Sequence, residues 1–289
     1  MSKAISPSSP VVGTREALQW RRSASGDDLG GTVARITRAV PDETAIGLAY
    51  DSRPHVVLMG APADIEDLAI GFSLTEGIAS PDQIDDIKIT DRSDGVLVDM
   101  LLSPAGREGA AKARTRAMEG RSSCGLCGVQ HLEAATRALP QVGGDLRISR
   151  AAIQTALAEL EAAQVHGAAT RAMHAAAWAD ETGHVLFVRE DVGRHNALDK
   201  VIGAAARTRR DPGQAFIVVT SRLSYEMVEK AAMAGIALLV AISAPTALAI
   251  RKAEETGMTL VALARSDGHT IFTFPERVID TPASAKVIA

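Results

Sequence analysis

The sequence predicts an α/β protein with a mainly parallel sheet in its C-terminal half and a smaller α+β part before it. From about residue 185 onward, short apolar runs alternate with amphipathic segments of ten or more residues, which is the pattern of successive βαβ units. The chain has 289 residues, and 46% of them are hydrophobic. That is enough for one large domain or for two ordinary ones with buried cores.

The first part of the chain divides into a tail and a folded segment. Residues 1 to 32 are rich in Ser, Pro, Gly and charge, and they predict a mobile tail. Residues 33 to 125 predict the smaller α+β part, in which Ile65, Leu68 and Phe72 recur at helical spacing. We expect strands at 55–59, 87–90 and 96–102, and a loop or loosely held helix at 103–123.

Residues 126 to 289 predict the larger α/β part. A helix is expected at 129–139, where Pro140 ends it, and another after Ser149, a suitable N-cap. The alternation then predicts strands at 185–188, 216–220, 236–242, 258–263 and 270–274, and helices at 196–207, 224–234 and 245–256.

Composition excludes several classes of function. The net charge is −4, so the protein as a whole does not attract a nucleic-acid phosphate backbone or an anionic membrane. Aromatic residues are only 3% of the chain. Proteins that bind single-stranded nucleic acids use exposed aromatic side chains to stack the bases, and such residues are scarce in this sequence. The sequence contains no apolar run long enough to span a bilayer and no apolar core of a secretory signal. We therefore expect a cytoplasmic protein without nucleic-acid or membrane partners.

Three predicted strand-to-helix turns are polar: residues 189–197, 220–226 and 243–246. Turns of this kind gather at one edge of a parallel sheet, where ligands bind. Helix N-termini attract anions, and Arg194 and Arg222 could add bidentate contacts to phosphate. Ser243 adds a hydroxyl. Any one of these turns is better explained as an ordinary N-cap, whereas the three together are explained equally well by an anionic ligand. Neither the dinucleotide nor the P-loop glycine signature is present.

The two cysteines of the chain, Cys124 and Cys127, stand in the stretch GRSSCGLCG. Structural zinc would need two more ligands from scattered histidines, and the His131-Leu-Glu133 order is wrong for a zinc deaminase. A thioredoxin-like pair should follow a strand, which residues 115–123 do not resemble. A sulfur carrier needs an exposed thiol of low pKa on a movable loop, and this fits best. The local sequence alone does not separate it from a redox pair.

Longer motifs elsewhere in the sequence resemble those of a known family. RSSCGLCG, EDVGRHNALDKVIG, SRLSYEMVEKAAMAGI and SAPTALAI occur in this order and resemble the FdhD family of sulfur carriers that formate dehydrogenases need. TEGI at 75–78 and LARSDG at 263–268 also resemble stretches of that family. The resemblance covers about residues 40 to 277.

The resemblance implies a sulfurtransferase. Its members take sulfur from a cysteine desulfurase as a persulfide and pass it to the bis-molybdopterin guanine dinucleotide cofactor of formate dehydrogenase. Cys124 matches the persulfide carrier and Cys127 the second cysteine. The cofactor is bound as cargo, with its guanine nucleotide moiety, and no permanent cofactor and no metal site are expected. The stretch associated with cofactor binding matches Leu263, Ala264, Arg265, Ser266, Asp267 and Gly268.

The resemblance also implies a cytidine-deaminase-like α/β/α sheet in the C-terminal part and a homodimer. One departure concerns the family's TGG-x-H-AA stretch, which here has Arg171 and Ala172 in place of the glycines, while His174 is retained. A ligand contact of those glycines would then be altered. Two rival functions remain: a chaperone that carries the cofactor without sulfur chemistry, and a zinc-dependent deaminase-like hydrolase.

Overall fold

A long β-hairpin begins the described part of the chain. The computed structural model describes residues 11–22, 31–119 and 138–280. Strand β1 (Val12–Arg22) pairs along its whole length with antiparallel β2 (Gly31–Pro41), and β2 packs against helix α4 (Val165–Thr170).

Strand β1 corrects the prediction of a mobile tail for residues 12–22, whereas residues 1–10 and 23–30 of the predicted tail lie outside the described residues. Most side chains of β1 are exposed, so the strand shows no alternation of buried and exposed residues. The backbone ladder holds the strand in place of a buried side-chain face, and sequence periodicity cannot report such a ladder.

A four-stranded sheet follows, in the order β4-β3-β6-β5. Its strands are β3 (Thr44–Tyr50), β4 (Arg53–Gly60), β5 (Ile84–Arg92) and β6 (Gly95–Leu102). Helix α1 (Ile65–Thr75) covers one face of the sheet, where Leu68 and Phe72 pack with Ile46 and Val98. The predicted helix and the three predicted strands are confirmed, and residues 104–119 are helical too, as α2 (Pro104–Glu119).

A six-stranded sheet forms the C-terminal part, in the order β13-β12-β11-β10-β8-β9 among the described residues. Its strands are β8 (His174–Asp180), β9 (Val185–Asp191), β10 (Ala215–Val219), β11 (Leu238–Ala241), β12 (Thr259–Arg265) and β13 (Gly268–Ile271). A small parallel pair, β7 (Ile148–Ser149) with β14 (Val278–Ile279), lies apart from it.

The sheet is mixed, and this corrects the mainly parallel prediction. Strands β10, β11 and β12 are parallel neighbours, but β8 runs antiparallel to both β9 and β10, and β13 runs antiparallel to β12. The sequence analysis missed β8, because its core, AAAWA, is rich in alanine and lacks the β-branched residues typical of strands.

Helices cover both faces of the six-stranded sheet. Helices α5 (Arg194–Arg207), α6 (Tyr225–Met233) and α7 (Ala247–Thr256) pack on one face, and α3 (Arg150–Ala163) packs on the other. Ser149 caps α3, accepting a hydrogen bond from the Ala152 amide at 3.0 Å. The layers agree with the predicted α/β/α fold, while the specific cytidine-deaminase arrangement stays a prediction.

Helices α1 and α5 join the two parts at a very close crossing. A Cβ atom on Gly71 would lie 1.8 Å from the Asp199 carbonyl oxygen, and one on Gly203 would lie 1.9 Å from the Asp67 carbonyl oxygen. Ion pairs flank the crossing: buried Lys230 lies 2.9 Å from Asp199, and the more exposed Arg207 lies 2.6 Å from buried Asp67. The two helices therefore touch backbone to backbone.

The predicted boundary at residues 125/126 lies outside the described residues, as do most of the predicted 129–139 helix and both cysteines. On either side, the four-stranded sheet occupies residues 44–102 and the six-stranded sheet residues 174–271. Among the described residues, no helix is both long and apolar enough to cross a membrane.

Candidate functional site

One edge of the six-stranded sheet collects the polar turns that the sequence analysis singled out. Strands β9 to β12 all end at this edge, and β8 begins there. Backbone hydrogen bonds tie the turns together: the Thr220 amide donates to Ala175 (3.0 Å), and the Leu263 amide donates to Ser243 (3.2 Å). The structure thus brings the turns at 191–194, 220–224, 243–246 and 263–268 to a common edge.

Two helix N-termini meet at this edge through a charged cluster. His195, in the first turn of α5, places Nε2 3.0 Å from Glu226 Oε2 in the first turn of α6. Arg194 Nη2 lies 3.8 Å from the same oxygen. Burial raises the pKa of Glu226, but His195 and the charges of Arg194 and Lys230 outweigh it and hold this pKa below its ordinary value. Glu226 is therefore an anion in the cluster.

Polar atoms at this edge are buried without hydrogen-bond partners. Within the described part of the chain, Arg194 Nε and Ser224 Oγ are two such atoms. Burying an unpaired polar atom costs about 1–3 kcal/mol. Their position at the start of α5 and α6 is where an anionic ligand would supply acceptors.

His174 begins β8 at the same edge, directly opposite Asp191 of β9. Burial lowers the pKa of His174, and the nearby charge of Arg194 lowers it further, against the opposing charge of Asp191. The imidazole is therefore neutral near pH 7, and its charge adds nothing to anion binding there.

A buried ion pair lies beneath the edge. Lys200 Nζ is 2.7 Å from Asp191 Oδ2, and both side chains are fully buried. Asp191 also accepts hydrogen bonds from the Ala61 amide (3.0 Å) and the Gly193 amide (2.8 Å). Asn196 Nδ2 donates to Asp191 Oδ1 (3.0 Å) and to the Met59 carbonyl (2.8 Å). The pair ties the turn before α5 to the end of β4.

The sequence analysis missed this network. The signal was available in NALDKVIG, where Lys200 shares the buried side of a helix with Ala197 and Val201. A lysine among core residues is almost always paired, but its partner cannot be found without the fold.

The 263–268 stretch forms the irregular end of β12. The register between β12 and β13 shifts between Ala262 and Arg265, and Leu263 adopts a left-handed φ of 53° while 43% exposed. Such strain often marks binding sites. Arg265, Ser266 and Asp267 are exposed, but Ala264 is fully buried in the α3-side core. Of this predicted set, Ala264 can therefore offer only its backbone to a ligand.

The remaining predicted site residues are placed as follows. Arg222 is exposed and Ser243 is partly exposed at the edge, whereas Cys124 and Cys127 lie outside the described residues. A surface depression of about 500 Å³, lined by Tyr50, Asp51 and Arg107 among others, lies in the N-terminal part and includes none of the predicted binding residues. No group of three or more His, Cys, Asp or Glu side chains within the described ranges is arranged to hold a metal ion.

Arg171 has a conformational explanation. It caps the C-terminal end of α4 with a left-handed φ of 56°, the position where glycine is usual. A glycine here would serve the backbone conformation, and a ligand contact is not needed to account for it.

Comparisons with known proteins agree with this fold. Residues 41–279 match the FdhD/NarQ family. The chain is 44% identical over 252 residues to a protein of Bordetella petrii and 46% identical over 257 residues to one of Xanthomonas euvesicatoria pv. vesicatoria. Both are named sulfur carrier protein FdhD. Each match covers 86% of this chain. It covers 90% of the Bordetella petrii protein and 89% of the Xanthomonas protein.

A solved structure shares the fold. It is a Desulfotalea psychrophila protein assigned as a formate dehydrogenase accessory protein, with a TM-score of 0.71 and 24% sequence identity. The match covers 93% of this chain and 100% of that one. The family match over most of the chain and the level of identity to these relatives together establish that this protein belongs to the FdhD/NarQ family.

Proposed function

We propose that this protein is a sulfur carrier that activates formate dehydrogenase through its molybdenum cofactor. The observation that carries the proposal is the name shared by relatives that are 44–46% identical over 86% of the chain: sulfur carrier protein FdhD. The CGLC pair in this sequence supplies the thiols that such a role requires.

Sulfur uptake is a thiolate exchange. The Cys124 thiolate attacks the terminal sulfur of a persulfide on a cysteine desulfurase, the donor's S–S bond breaks, and the desulfurase cysteine leaves as a thiolate. Cys124 then gives its terminal sulfur to the molybdenum of bis-molybdopterin guanine dinucleotide. Two electrons from the metal reduce that atom to sulfide, and Cys124 returns to the thiolate. Cys127, three positions after Cys124 in the sequence, can receive the sulfur from Cys124 by the same chemistry.

The cargo would bind at the polar sheet edge through its guanine nucleotide phosphates. Arg194, Arg222 and Arg265 offer cationic groups there, and Ser243 offers a hydroxyl. The N-terminus of α5 adds free amides, and the unpaired Arg194 Nε and Ser224 Oγ are donors that an anionic ligand would satisfy. These features support an anionic cargo.

The carrier role is tested by incubating the protein with a desulfurase and cysteine, followed by mass spectrometry. We expect a gain of about 32 Da, one sulfur atom, on the peptide that contains Cys124. Cys124→Ala should lose this adduct, and Cys127→Ala should retain it. An adduct that persists in Cys124→Ala would refute the assignment. If Cys124→Ala still supports formate dehydrogenase activity, the protein is a cofactor chaperone without sulfur chemistry.

The cargo site is tested by calorimetry with GDP as a fragment of the cofactor. Replacing Arg194 or Arg265 by alanine should weaken binding about tenfold, as expected for one lost charged hydrogen bond. Arg209→Ala is the matched control, because Arg209 is exposed beyond the opposite end of α5. Equal binding by all three variants would contradict the site. Stoichiometric zinc in elemental analysis would instead favour a deaminase-like hydrolase.

A further inference from the structure

The polar sheet edge contains a carboxylate among the cations that would bind the cargo phosphates. Glu226 Oε2, in the first turn of α6, lies 3.0 Å from His195 Nε2 and 3.8 Å from Arg194 Nη2. Its side chain is 17% exposed, and its pKa is lowered, so the carboxyl group is ionised at neutral pH. An acidic residue in the first turn of a helix is ordinary. This one, however, also neutralises the arginine of the neighbouring helix, which opposes tight binding of an anion.

Two hydrogen-bond donors flank this carboxylate. Within the described part of the chain, Arg194 Nε and Ser224 Oγ are buried without hydrogen-bond partners. Arg194 approaches Glu226 through Nη2, and Ser224 precedes Glu226 by two residues. A phosphate that accepts hydrogen bonds from both donors would therefore lie roughly 5–7 Å from the Glu226 carboxylate, about one hydrogen-bond length beyond the donors. At this separation a phosphate and the carboxylate repel each other.

Glu226 lowers the positive charge that a ligand meets between the two helix N-termini. Arg194 and Glu226 cancel each other, and so do Lys200 and Asp191 beneath the edge. The N-termini of α5 and α6 contribute about half a positive unit each. When the histidines of the edge are uncharged, about one positive unit is therefore left for a ligand.

Two more cations near this edge change the balance little. Lys230 faces Glu226 from the next turn of α6, but it lies 2.9 Å from both Asp199 and Glu76 and is neutralised by them. Arg222 is exposed, so water and salt screen its charge. The pocket between α5 and α6 therefore matches an anion that carries one negative charge.

Phosphate groups differ in exactly one relevant property, their charge. A bridging phosphate, which is substituted on both sides, carries one negative charge, whereas a terminal phosphate carries about 1.5–2 at pH 7. We propose that Glu226 is a specificity-determining residue of the cargo site, which selects the bridging phosphates of the cofactor over the terminal phosphate of a free nucleotide. Repulsion of the competing ligand is a general source of specificity. This inference rests on the proposed function, because it concerns the same site.

The size of the selection follows from the extra charge of a terminal phosphate. At a partly exposed site, two like unit charges about 6 Å apart repel by an amount equivalent to roughly tenfold in affinity. The second charge of a terminal phosphate must also be removed from water, and the pocket has no second positive unit to offset that cost. Glu226 should therefore disfavour a terminal phosphate about tenfold more than a bridging one.

The test is calorimetry with GDP and with its terminal methyl ester, which differ by one methyl group and one negative charge. At about pH 8.5 histidines are generally uncharged and the terminal phosphate of GDP is fully ionised. We expect the wild-type protein to bind the ester more tightly than GDP. Glu226→Gln should bind GDP at least tenfold more tightly than the wild type does, and its preference for the ester should be about tenfold smaller. Glu226→Asp keeps the charge and should keep the preference.

Glu254→Gln is the matched control. It removes the same charge from an exposed position near the C-terminal end of α7, at the opposite edge of the sheet, and it should leave the preference unchanged. The ratio of the two affinities is measured on one preparation, and the calorimetric stoichiometry reports the fraction of competent protein. Partial unfolding of a variant therefore cannot imitate the expected change.

The outcomes separate this inference from the proposed function. Binding of GDP by the wild type without a preference for the ester overturns the inference alone. A preference that survives in Glu226→Gln, as an apolar contact of the methyl group would produce, also overturns it, and so does weaker binding of GDP by Glu226→Gln. If the wild type binds neither ligand, the proposed cargo site is contradicted together with this inference.

Discussion

Asp191→Asn is the substitution whose effect the structure defines most sharply. It retains the shape of the side chain but removes the negative charge that faces Lys200 Nζ at 2.7 Å. Both side chains are fully buried, so water cannot replace the lost partner. The asparagine side chain also has one acceptor oxygen where Asp191 has two, and these two oxygens accept hydrogen bonds from the Ala61 and Gly193 backbone amides.

The magnitude follows from the cost of leaving a buried ammonium group unpaired. Removing one partner of a buried ion pair destabilises a protein by about 3–5 kcal/mol. Lys200 keeps its contact with the Ala61 carbonyl at 3.1 Å, which offsets part of that cost. We therefore expect the free energy of unfolding to fall by about 3 kcal/mol in Asp191→Asn.

The measurement is urea unfolding followed by circular dichroism, with Asp280→Asn as the control. Asp280 pairs with Arg150 at the surface, where both side chains are 40% or more exposed, so this variant should lose less than about 1 kcal/mol. The double variant Asp191→Asn/Lys200→Met removes both buried charges and should be more stable than Asp191→Asn alone. A loss below about 1 kcal/mol in Asp191→Asn, or a double variant less stable than the single one, would refute the reasoning.

Two further predictions concern the turn before β8. Arg171→Gly should raise the free energy of unfolding by about 0.5–1 kcal/mol in urea titrations, because the left-handed backbone of Arg171 costs a non-glycine residue more than it costs glycine; a decrease would contradict this. The folded protein holds the pKa of His174 below the ordinary 6.5, so the unfolded chain takes up the proton first as pH falls below 6.5, and folded-state stability should decline there. His174→Gln should make that decline shallower in unfolding curves measured from pH 7 to 5, and an unchanged slope would count against it.

The sequence predicted the elements with strong periodicity. Leu68 and Phe72 gave the phase of α1, and Ser149 marked the start of α3 through a cap that the structure contains. The gathering of the polar turns at one sheet edge was also predictable, because chain direction in βαβ units fixes which ends meet.

The remaining features depend on contacts distant in sequence. Strand β8 has too little β-branched character to be recognised alone, and it reverses the direction of the sheet between β9 and β10. The partner of Lys200 lies nine residues away across a turn, and its other contact, the Ala61 carbonyl, lies in the N-terminal part. Neither the register of β1 and β2 nor the clustering of His195 with Glu226 follows from local pattern, because each requires two segments to be placed in space first.

The crossing at Gly71 and Gly203 has a consequence for how the chain folds. With a backbone-to-backbone contact between α1 and α5, neither helix has a complete surface until the other is present. Because each helix needs the other, the two sheets should fold and melt as one cooperative unit. A fragment beginning after residue 125 would lack α1 and would expose to water the surface of α5 around Gly203 that α1 covers. We expect this fragment to aggregate when it is expressed alone.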